Sequence, residues 1–168
     1  MGSSSEFDIR EITKGDRAWV HNLVVTNWCG EIVVTRGRCI RADLLPGFVA
    51  MVGGERVGLL TYRPSGDGWE IVTVDSLLER EGIGTALLKA VRNAATSAGC
   101  RRLWLITTND NLPAMQFYEA FGFVKKAVYW GAVTAVSRKH KPEIPTTGVG
   151  GVPIRDEVEY ELSIDADA

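Results

Sequence analysis

The chain has 168 residues, 45% of them hydrophobic and 24% charged, and its formal net charge at pH 7 is −2. This composition is typical of a soluble globular protein, and we expect one domain over residues 7–164 with short tails at 1–6 and 165–168. The near-neutral charge argues against a nucleic-acid surface, and no apolar run approaches the roughly 20 residues of a membrane helix. Three cysteines without a CxxC pair or an apolar leader favour the reducing cytoplasm.

The N-terminal half predicts an antiparallel meander with one helix. Strands are predicted at residues 7–12, 32–35, 48–52, 57–63 and 69–76. Thr13 and Asp16 have the spacing of a capping box, so we expect a helix from Lys14 to about Asn27. Residues 28–47 otherwise show no clear periodicity, apart from a short helical stretch near 43–45.

A strand, a glycine turn and a helix follow at the centre of the chain. The strand at 69–76 is rich in Val, Ile and Thr, and the turn contains Gly82 and Gly84. Apolar residues then recur at helical spacing at Ile83, Leu87, Val91, Ala95 and Ala98, and Gly99 is suited to end the helix. Glycines let a ligand approach the backbone, and free N–H groups at a helix N-terminus attract an anion such as a pyrophosphate.

The glycine turn by itself has several interpretations. A P-loop requires a Lys that the turn lacks, and a dinucleotide fingerprint requires a third glycine where Leu87 stands. A turn whose glycines serve only the packing of a strand against a helix remains an alternative. The residues that follow are needed to choose between these interpretations.

The next unit is a buried strand followed by a short helix. Residues 102–108 contain the continuous apolar run Leu-Trp-Leu-Ile, which is typical of a central parallel strand. Asn111 is suited to cap the following helix, Pro113 fits its first turn and Gly122 ends it. The connection from the preceding strand should be a right-handed crossover.

The C-terminal part predicts two more strands separated by irregular structure. We expect a strand at 125–133, a short basic helix at 133–141, a loop at 142–153 that is rich in Pro and Gly, and a last alternating strand at 157–164.

Two motifs in this order resemble those of the GNAT superfamily of acyl-CoA-dependent N-acyltransferases. The first is the turn with Gly82-x-Gly84, where the family has Gln/Arg-x-x-Gly-x-Gly/Ala. The second is Asn111-x-x-Ala114-x-x-Phe117-Tyr118, which ends at Gly122-Phe123. Glu79 departs from the first motif because it stands at the usual Gln or Arg position, and a carboxylate near phosphates is unfavourable.

The resemblance implies a GNAT-like α/β fold with a mixed sheet. An antiparallel N-terminal meander should precede a parallel strand–helix–strand unit, with helices on both faces. The two central parallel strands should splay apart after Val74 and Thr107. The pantetheine arm of acetyl-CoA would lie in that gap.

The resemblance also implies the cofactor and its contacts. Acetyl-CoA is the expected co-substrate, and its amides would pair with the backbone near Val72 and Val74, where one N–H would bind the thioester carbonyl oxygen. The predicted cofactor contacts are Val72, Val74, Arg80, Glu81, Gly82, Ile83, Gly84, Thr85, Asn109, Asn111, Ala114 and Tyr118. No metal site is predicted.

The predicted catalytic residues are Tyr118 and Glu70. Tyr118 aligns with the family's tyrosine that protonates the leaving thiolate, and its alternative role is that of a core tyrosine. Glu70 shares a strand face with Val72 and Val74, so it is the expected general base, although a carboxylate paired with a surface arginine is an equal alternative. His140 is the second candidate base.

The acceptor is expected to be the primary amine of a small molecule. Acidic residues such as Asp67, Glu70 and Asp75 would suit a cationic amine. The alternatives are a protein or peptide N-acetyltransferase and a catalytically silent acyl-CoA-binding module. In this superfamily the last strand can pair across a dimer, so a homodimer is a further hypothesis.

Overall fold

A computed structural model of the protein describes residues 7–78 and 82–164. The predicted tails at 1–6 and 165–168 lie outside the described residues, as do Glu79, Arg80 and Glu81 of the glycine turn. No helix in the described ranges combines the length and the apolar character needed to cross a bilayer.

The described residues form nine strands in two sheets. The strands are β1 (Asp8–Glu11), β2 (Ile32–Thr35), β3 (Arg38–Arg41), β4 (Gly47–Val52), β5 (Glu55–Ser65), β6 (Gly68–Ser76), β7 (Arg102–Thr108), β8 (Val124–Tyr129) and β9 (Glu157–Ser163). Seven of them make one sheet in the order β1-β4-β5-β6-β7-β9-β8, and β2 and β3 form a separate hairpin. In this sheet β1 and β4, β4 and β5, and β5 and β6 pair in antiparallel fashion, whereas β6 and β7 are parallel, as the sequence predicted.

Three main helices cover the two faces of the large sheet. They are α1 (Arg17–Asn27), α2 (Ile83–Ser97) and α3 (Leu112–Phe121). Four residues of the predicted apolar stripe of α2, Ile83, Leu87, Val91 and Ala95, are buried in a core that also includes Met115 of α3. The fifth, Ala98, is exposed just beyond the end of the helix. Val20 and Val24 of α1 pack on the other face, in a second core with the β2–β3 hairpin. Helices on both faces therefore confirm the predicted fold class.

Several element boundaries differ from the sequence-based expectations. β8 ends at Tyr129 rather than near 133, because the chain turns at Gly131, whose φ is +68°. The stretch predicted as a basic helix is helical from Val133 to Ser137 in π form and continues to His140. The segment without clear periodicity contains the β2–β3 hairpin. Each of its strands has only four residues, which leaves a weak alternation signal, and the hairpin packs against α1 and one face of the large sheet.

The last strand is not available to pair across a dimer. β9 is inserted between β7 and β8 and pairs with both of them in antiparallel register. Both of its edges are therefore used within the chain, and in this arrangement β9 has no free edge for pairing across a dimer.

A buried carboxylate ties the first strand to the first helix. Asp16 has no exposed surface, and its oxygens accept hydrogen bonds from Arg10 (2.7 and 2.9 Å), Arg56 (2.8 Å) and the backbone N–H of Thr13 (2.7 Å). The hydrogen bonds from Arg10 contribute most to holding the pKa of Asp16 far below its usual range. The predicted capping box is confirmed.

We expect Asp16→Asn to lower the free energy of unfolding at pH 7 by about 3 kcal/mol, because it leaves two guanidinium groups without their charge partner. The folded pKa is depressed, so the carboxylate stabilises the fold above the unfolded pKa of about 4 and loses this effect as the pH falls. Urea unfolding at pH 7 and at pH 2.5, well below the unfolded pKa, measures both effects. Asp8→Asn, at an exposed position, is the control; equal losses in the two variants would contradict the prediction.

Candidate active site

A cleft opens where the two parallel strands stop pairing. β6 and β7 are in register from Gly68↔Arg102 to Ile71↔Leu105, and within the described residues no ladder pair follows. The separation therefore begins three residues earlier on β6 than the predicted point after Val74. The unpaired stretch exposes strand backbone to a cavity of about 460 Å³.

The cavity collects residues from eight parts of the chain. Its lining includes Trp28, Val33, Thr35, Val72, Val74, Asp75, Thr107, Asn111, Ala114, Tyr118, Val133, Ser137, Lys141, Ile144, Ile154 and Glu157. Five predicted cofactor contacts, Val72, Val74, Asn111, Ala114 and Tyr118, are thus brought together. Asn111 also caps α3, because its side chain accepts a hydrogen bond from the N–H of Ala114 at 3.4 Å.

The described part of the glycine turn forms the start of α2. Gly82 caps the helix with φ +74°, a left-handed conformation that favours glycine. A Cβ on Gly84 would lie 3.0 Å from the Phe117 ring, so this glycine permits α2 to pack closely on α3. The packing interpretation is therefore correct for Gly84, and it is compatible with anion binding at the helix N-terminus.

The remaining residues of that turn have different positions. Ile83 is buried in the core, where its side chain packs on the sheet, and Thr85 is half-buried. Neither residue lines the cavity. Any contact of residues 82–85 with a cofactor would therefore involve their backbone N–H groups at the helix start.

Tyr118 lies between the cavity and the core. Its ring contacts the core aromatics Phe123 and Tyr160, with centroid distances of 5.7 and 6.4 Å. Burial raises the pKa of Tyr118, and the negative charge of Asp75 raises it further. The phenol therefore keeps its proton at neutral pH, as a proton donor must.

Asp75 is a cavity carboxylate that the sequence analysis named only as a possible attraction for a cation. It accepts hydrogen bonds from Asn27 Nδ2 and Trp28 Nε1, both at 3.0 Å, so it joins the end of α1 to the cleft. Burial raises the pKa of Asp75.

Glu70, the predicted base, forms ion pairs with two arginines. Its side chain is 1% exposed and is paired with Arg38 at 2.9 Å and Arg63 at 3.5 Å. Burial raises the pKa of Glu70, and the charge of Arg63 opposes this shift. Glu70 does not line the cavity, but Thr35, which does, donates a hydrogen bond to it at 3.3 Å. This geometry favours the alternative role, a carboxylate held by arginines.

Two other charged residues line the cavity and were missed by the sequence analysis. Glu157, at the start of β9, is 2% exposed. Lys141 is 8% exposed, and its ammonium donates hydrogen bonds to the carbonyls of Trp28 and Ile32. Burial lowers the pKa of Lys141. Neither residue belongs to a local motif, so no sequence signal could have selected them.

Asn109 and His140 lie away from the cavity. The side chain of Asn109 donates to the carbonyl of Pro153 at 2.9 Å and accepts from the N–H groups of Arg155 and Asp156 at 2.9 and 3.0 Å. It therefore anchors the C-terminal loop, residues 142–156, and its amide is not free to hold a cofactor. His140 is exposed and does not line the cavity, which leaves it poorly placed as a base.

One cluster in the described ranges has the residue types of a metal site. The ligand atoms of His21, Glu31 and Asp43 lie within 4.8 Å of one another. Asp43, however, accepts two hydrogen bonds from Arg41, at 2.9 and 2.8 Å, and interacts with His21 at 2.8 Å. The Arg41 contact is the main cause that lowers the pKa of Asp43 to about 2. The cluster is thus an ion-pair network that joins α1 to β3.

Known proteins match this chain in sequence and in fold. A family model described as the acetyltransferase (GNAT) family matches residues 9–123. The uncharacterized protein YdhI of Bacillus subtilis is 43% identical over 136 residues, which cover 80% of this chain and 84% of YdhI. N-alpha-acetyltransferase 30 of Xenopus laevis is 35% identical over 85 residues, or 46% of this chain and 31% of that protein.

A solved structure agrees with the fold. A GNAT family acetyltransferase from Elizabethkingia anophelis, with acetyl-CoA bound, has a TM-score of 0.69 at 16% identity, over 94% of this chain and 98% of that one. At this identity the similarity concerns the fold alone.

Proposed function

The chain belongs to the GNAT acetyltransferase family, and we propose that it transfers the acetyl group of acetyl-CoA to the primary amine of a small molecule. The observation that carries this proposal is the cleft between β6 and β7, which combines unpaired strand backbone with a protonated phenol, Tyr118. These are an oxyanion donor and a general acid, which acyl transfer from a thioester requires.

Acetyl-CoA would lie across the cleft from the start of α2. The pyrophosphate would bind the N–H groups at the helix start near Gly82 and Gly84, together with residues 80 and 81, which lie outside the described residues. The pantetheine arm would pair with the backbone of Val72 and Val74, beside Asn111 and Ala114.

The proposed reaction is direct transfer in a ternary complex. The ammonium form of the acceptor first loses one proton, which passes to solvent through a carboxylate. The neutral amine then attacks the thioester carbonyl carbon, and a C–N bond forms while a backbone N–H binds the oxygen. When the C–S bond breaks, Tyr118 gives its proton to the sulfur and regains one from the nitrogen. The products are the acetamide, free CoA thiol and one released proton.

The size of the cavity supports a small acceptor. Ile144, Pro145 and Ile154 of the C-terminal loop line it, as do Val33 and Val34 of the hairpin. The loop is held in place by Asn109 and by Arg138, which donates to the carbonyls of Pro145 and Ile154 at 2.9 and 3.0 Å. Because the pantetheine arm would occupy part of this cavity of about 460 Å³, the space that remains accommodates a small molecule better than an extended peptide.

A second candidate is N-terminal acetylation of proteins. The observation in its favour is the similarity to N-alpha-acetyltransferase 30, which covers 46% of this chain. A catalytically silent acyl-CoA-binding module is a third candidate, and the cavity position of Tyr118 argues against it.

The proposal is tested by mixing the protein with acetyl-CoA and a panel of small amines, aminoglycosides and peptides, and by following the release of free CoA thiol. We expect turnover with a small amine and none with peptides. Acetyl-CoA at about 100 times its Kd should stabilise the fold by about 2.7 kcal/mol, which thermal unfolding detects. Turnover with peptides alone would favour the second candidate, and stabilisation without any turnover would favour the silent module.

A further inference from the structure

Glu157 is held at the cavity wall by three different parts of the chain. It is the first residue of β9, opposite Thr108 of β7. One carboxylate oxygen accepts a hydrogen bond from the buried Ser137 hydroxyl at 3.0 Å, and the other accepts one from the backbone N–H of Arg36 at 2.9 Å. These contacts orient the carboxylate without neutralising it.

Glu157 makes no ion pair among the described residues, whereas Glu70 has two arginine partners. Lys141, the cation in the cavity lining, directs its ammonium to the carbonyls of Trp28 and Ile32. A buried carboxylate with only neutral donors carries a large desolvation cost, which a cationic ligand would offset.

The cavity that Glu157 lines also has apolar side chains. The elements that hold Glu157 also contribute Val33, Val34 and Val133 to the cavity lining, and the C-terminal loop adds Ile144 and Ile154. One buried negative charge beside hydrocarbon side chains matches a ligand with one positive charge and an apolar body. A second cationic group on the same ligand would be desolvated against these aliphatic groups.

Asp75 is the other carboxylate among the described lining residues, and it is also held by neutral donors. It directly follows Val74, however, in the stretch of β6 that the proposed pantetheine arm occupies. An ammonium at Asp75 would therefore compete with the cofactor, whereas Glu157 on β9 leaves that stretch free.

We propose that Glu157 receives the ammonium group of the acceptor and accepts its proton before attack, and that the acceptor is a compact monoamine with a hydrocarbon body. This inference rests on the proposed function for its chemical step. The proton moves from nitrogen to the carboxylate and then to solvent, and the neutral amine attacks the thioester as described above.

The test measures binding separately from chemistry. Phenethylamine, benzylamine and isoamylamine are titrated calorimetrically into the protein with and without CoA, which cannot donate an acetyl group. Spermidine and 2-phenylethanol are the comparison ligands. Glu157→Gln is the test variant, since a Gln amide can still accept from the Arg36 N–H and donate to the Ser137 hydroxyl. Glu159→Gln, two residues further on the same strand and outside the cavity lining, is the matched control.

We expect the parent and Glu159→Gln to bind at least one monoamine and to bind spermidine and 2-phenylethanol more weakly. Glu157→Gln should bind that amine about tenfold or more weakly, with unchanged affinity for CoA and an unchanged melting temperature. Equal amine affinity in Glu157→Gln and the parent would overturn the proposal. The proposal would also be overturned if a further variant, Asp75→Asn, lost amine affinity while Glu157→Gln kept it. It would equally be overturned if none of the three monoamines bound the parent.

The same experiment separates this proposal from the proposed function. If the monoamines bind through Glu157 but acetyl-CoA yields no free thiol with them, the acceptor site is retained and the transferase proposal fails. If amines release thiol from acetyl-CoA, and Glu157→Gln acetylates these amines with the same KM as the parent, the transferase proposal is retained. The proposed role of Glu157 then fails.

Discussion

Tyr118→Phe is expected to bind acetyl-CoA as tightly as the parent but to turn over about 100-fold more slowly, because general acid catalysis contributes about 10²- to 10⁴-fold. The phenylalanine ring preserves the packing against Phe123 and Tyr160 and removes only the hydroxyl. Without that proton the leaving group departs as a thiolate. The measurement is kcat from thiol release, together with the Kd of acetyl-CoA from calorimetry.

Tyr160→Phe is the matched control for this prediction. Tyr160 belongs to the same core, and its hydroxyl donates to Glu119 at 2.8 Å. Removing that hydroxyl should cost about 1 kcal/mol of stability and leave kcat unchanged. An unchanged kcat in Tyr118→Phe would refute its role as the acid and leave it as a core tyrosine.

Glu70→Ala is expected to lower the free energy of unfolding at pH 7 by about 3–5 kcal/mol, the usual result of breaking a buried ion pair by removing one partner. The truncation leaves Arg38 and Arg63 without their carboxylate and the Thr35 hydroxyl without its acceptor. Urea unfolding followed by circular dichroism measures the loss.

Asp67→Ala is the control for Glu70→Ala. Asp67 also pairs with an arginine, Arg102 at 3.0 Å, but its side chain is 59% exposed, so the loss should stay below about 1 kcal/mol. Glu70→Gln, assayed well below its melting temperature, distinguishes the two roles of Glu70. Retained turnover supports the role in ion pairing, whereas parent-like stability with turnover abolished would restore Glu70 as the base.

Local patterns predicted a large part of the fold. The 3.6-residue stripe of α2 and the Asn111 cap of α3 depend on neighbours within a few positions, and both are present in the structure. The family resemblance, which rests on the two motifs, implied the cleft between β6 and β7 and five residues that line it.

Local patterns did not predict the order of the C-terminal strands in the sheet. Alternation predicted β9 as a strand but not its insertion between β7 and β8, which depends on pairing partners far apart in the chain. The point at which β6 and β7 stop pairing could not be predicted either, because the hydrophobic pattern of a strand does not indicate where it separates from its neighbour.

The sequence by itself determined the family resemblance and the buried stripe of α2 from Ile83 to Ala95, because the spacing of residues along each element defines both. The resemblance then implied Tyr118 as the candidate acid. Only the tertiary structure decided which carboxylates line the cavity without an ion pair among the described residues. Glu70 and Glu157 look alike at the ends of alternating strands, but Glu70 meets two arginines while Glu157 meets a backbone N–H 121 positions away. The chemistry of a buried charge depends on partners brought to it by the fold, and the residues adjacent to it in sequence do not reveal them.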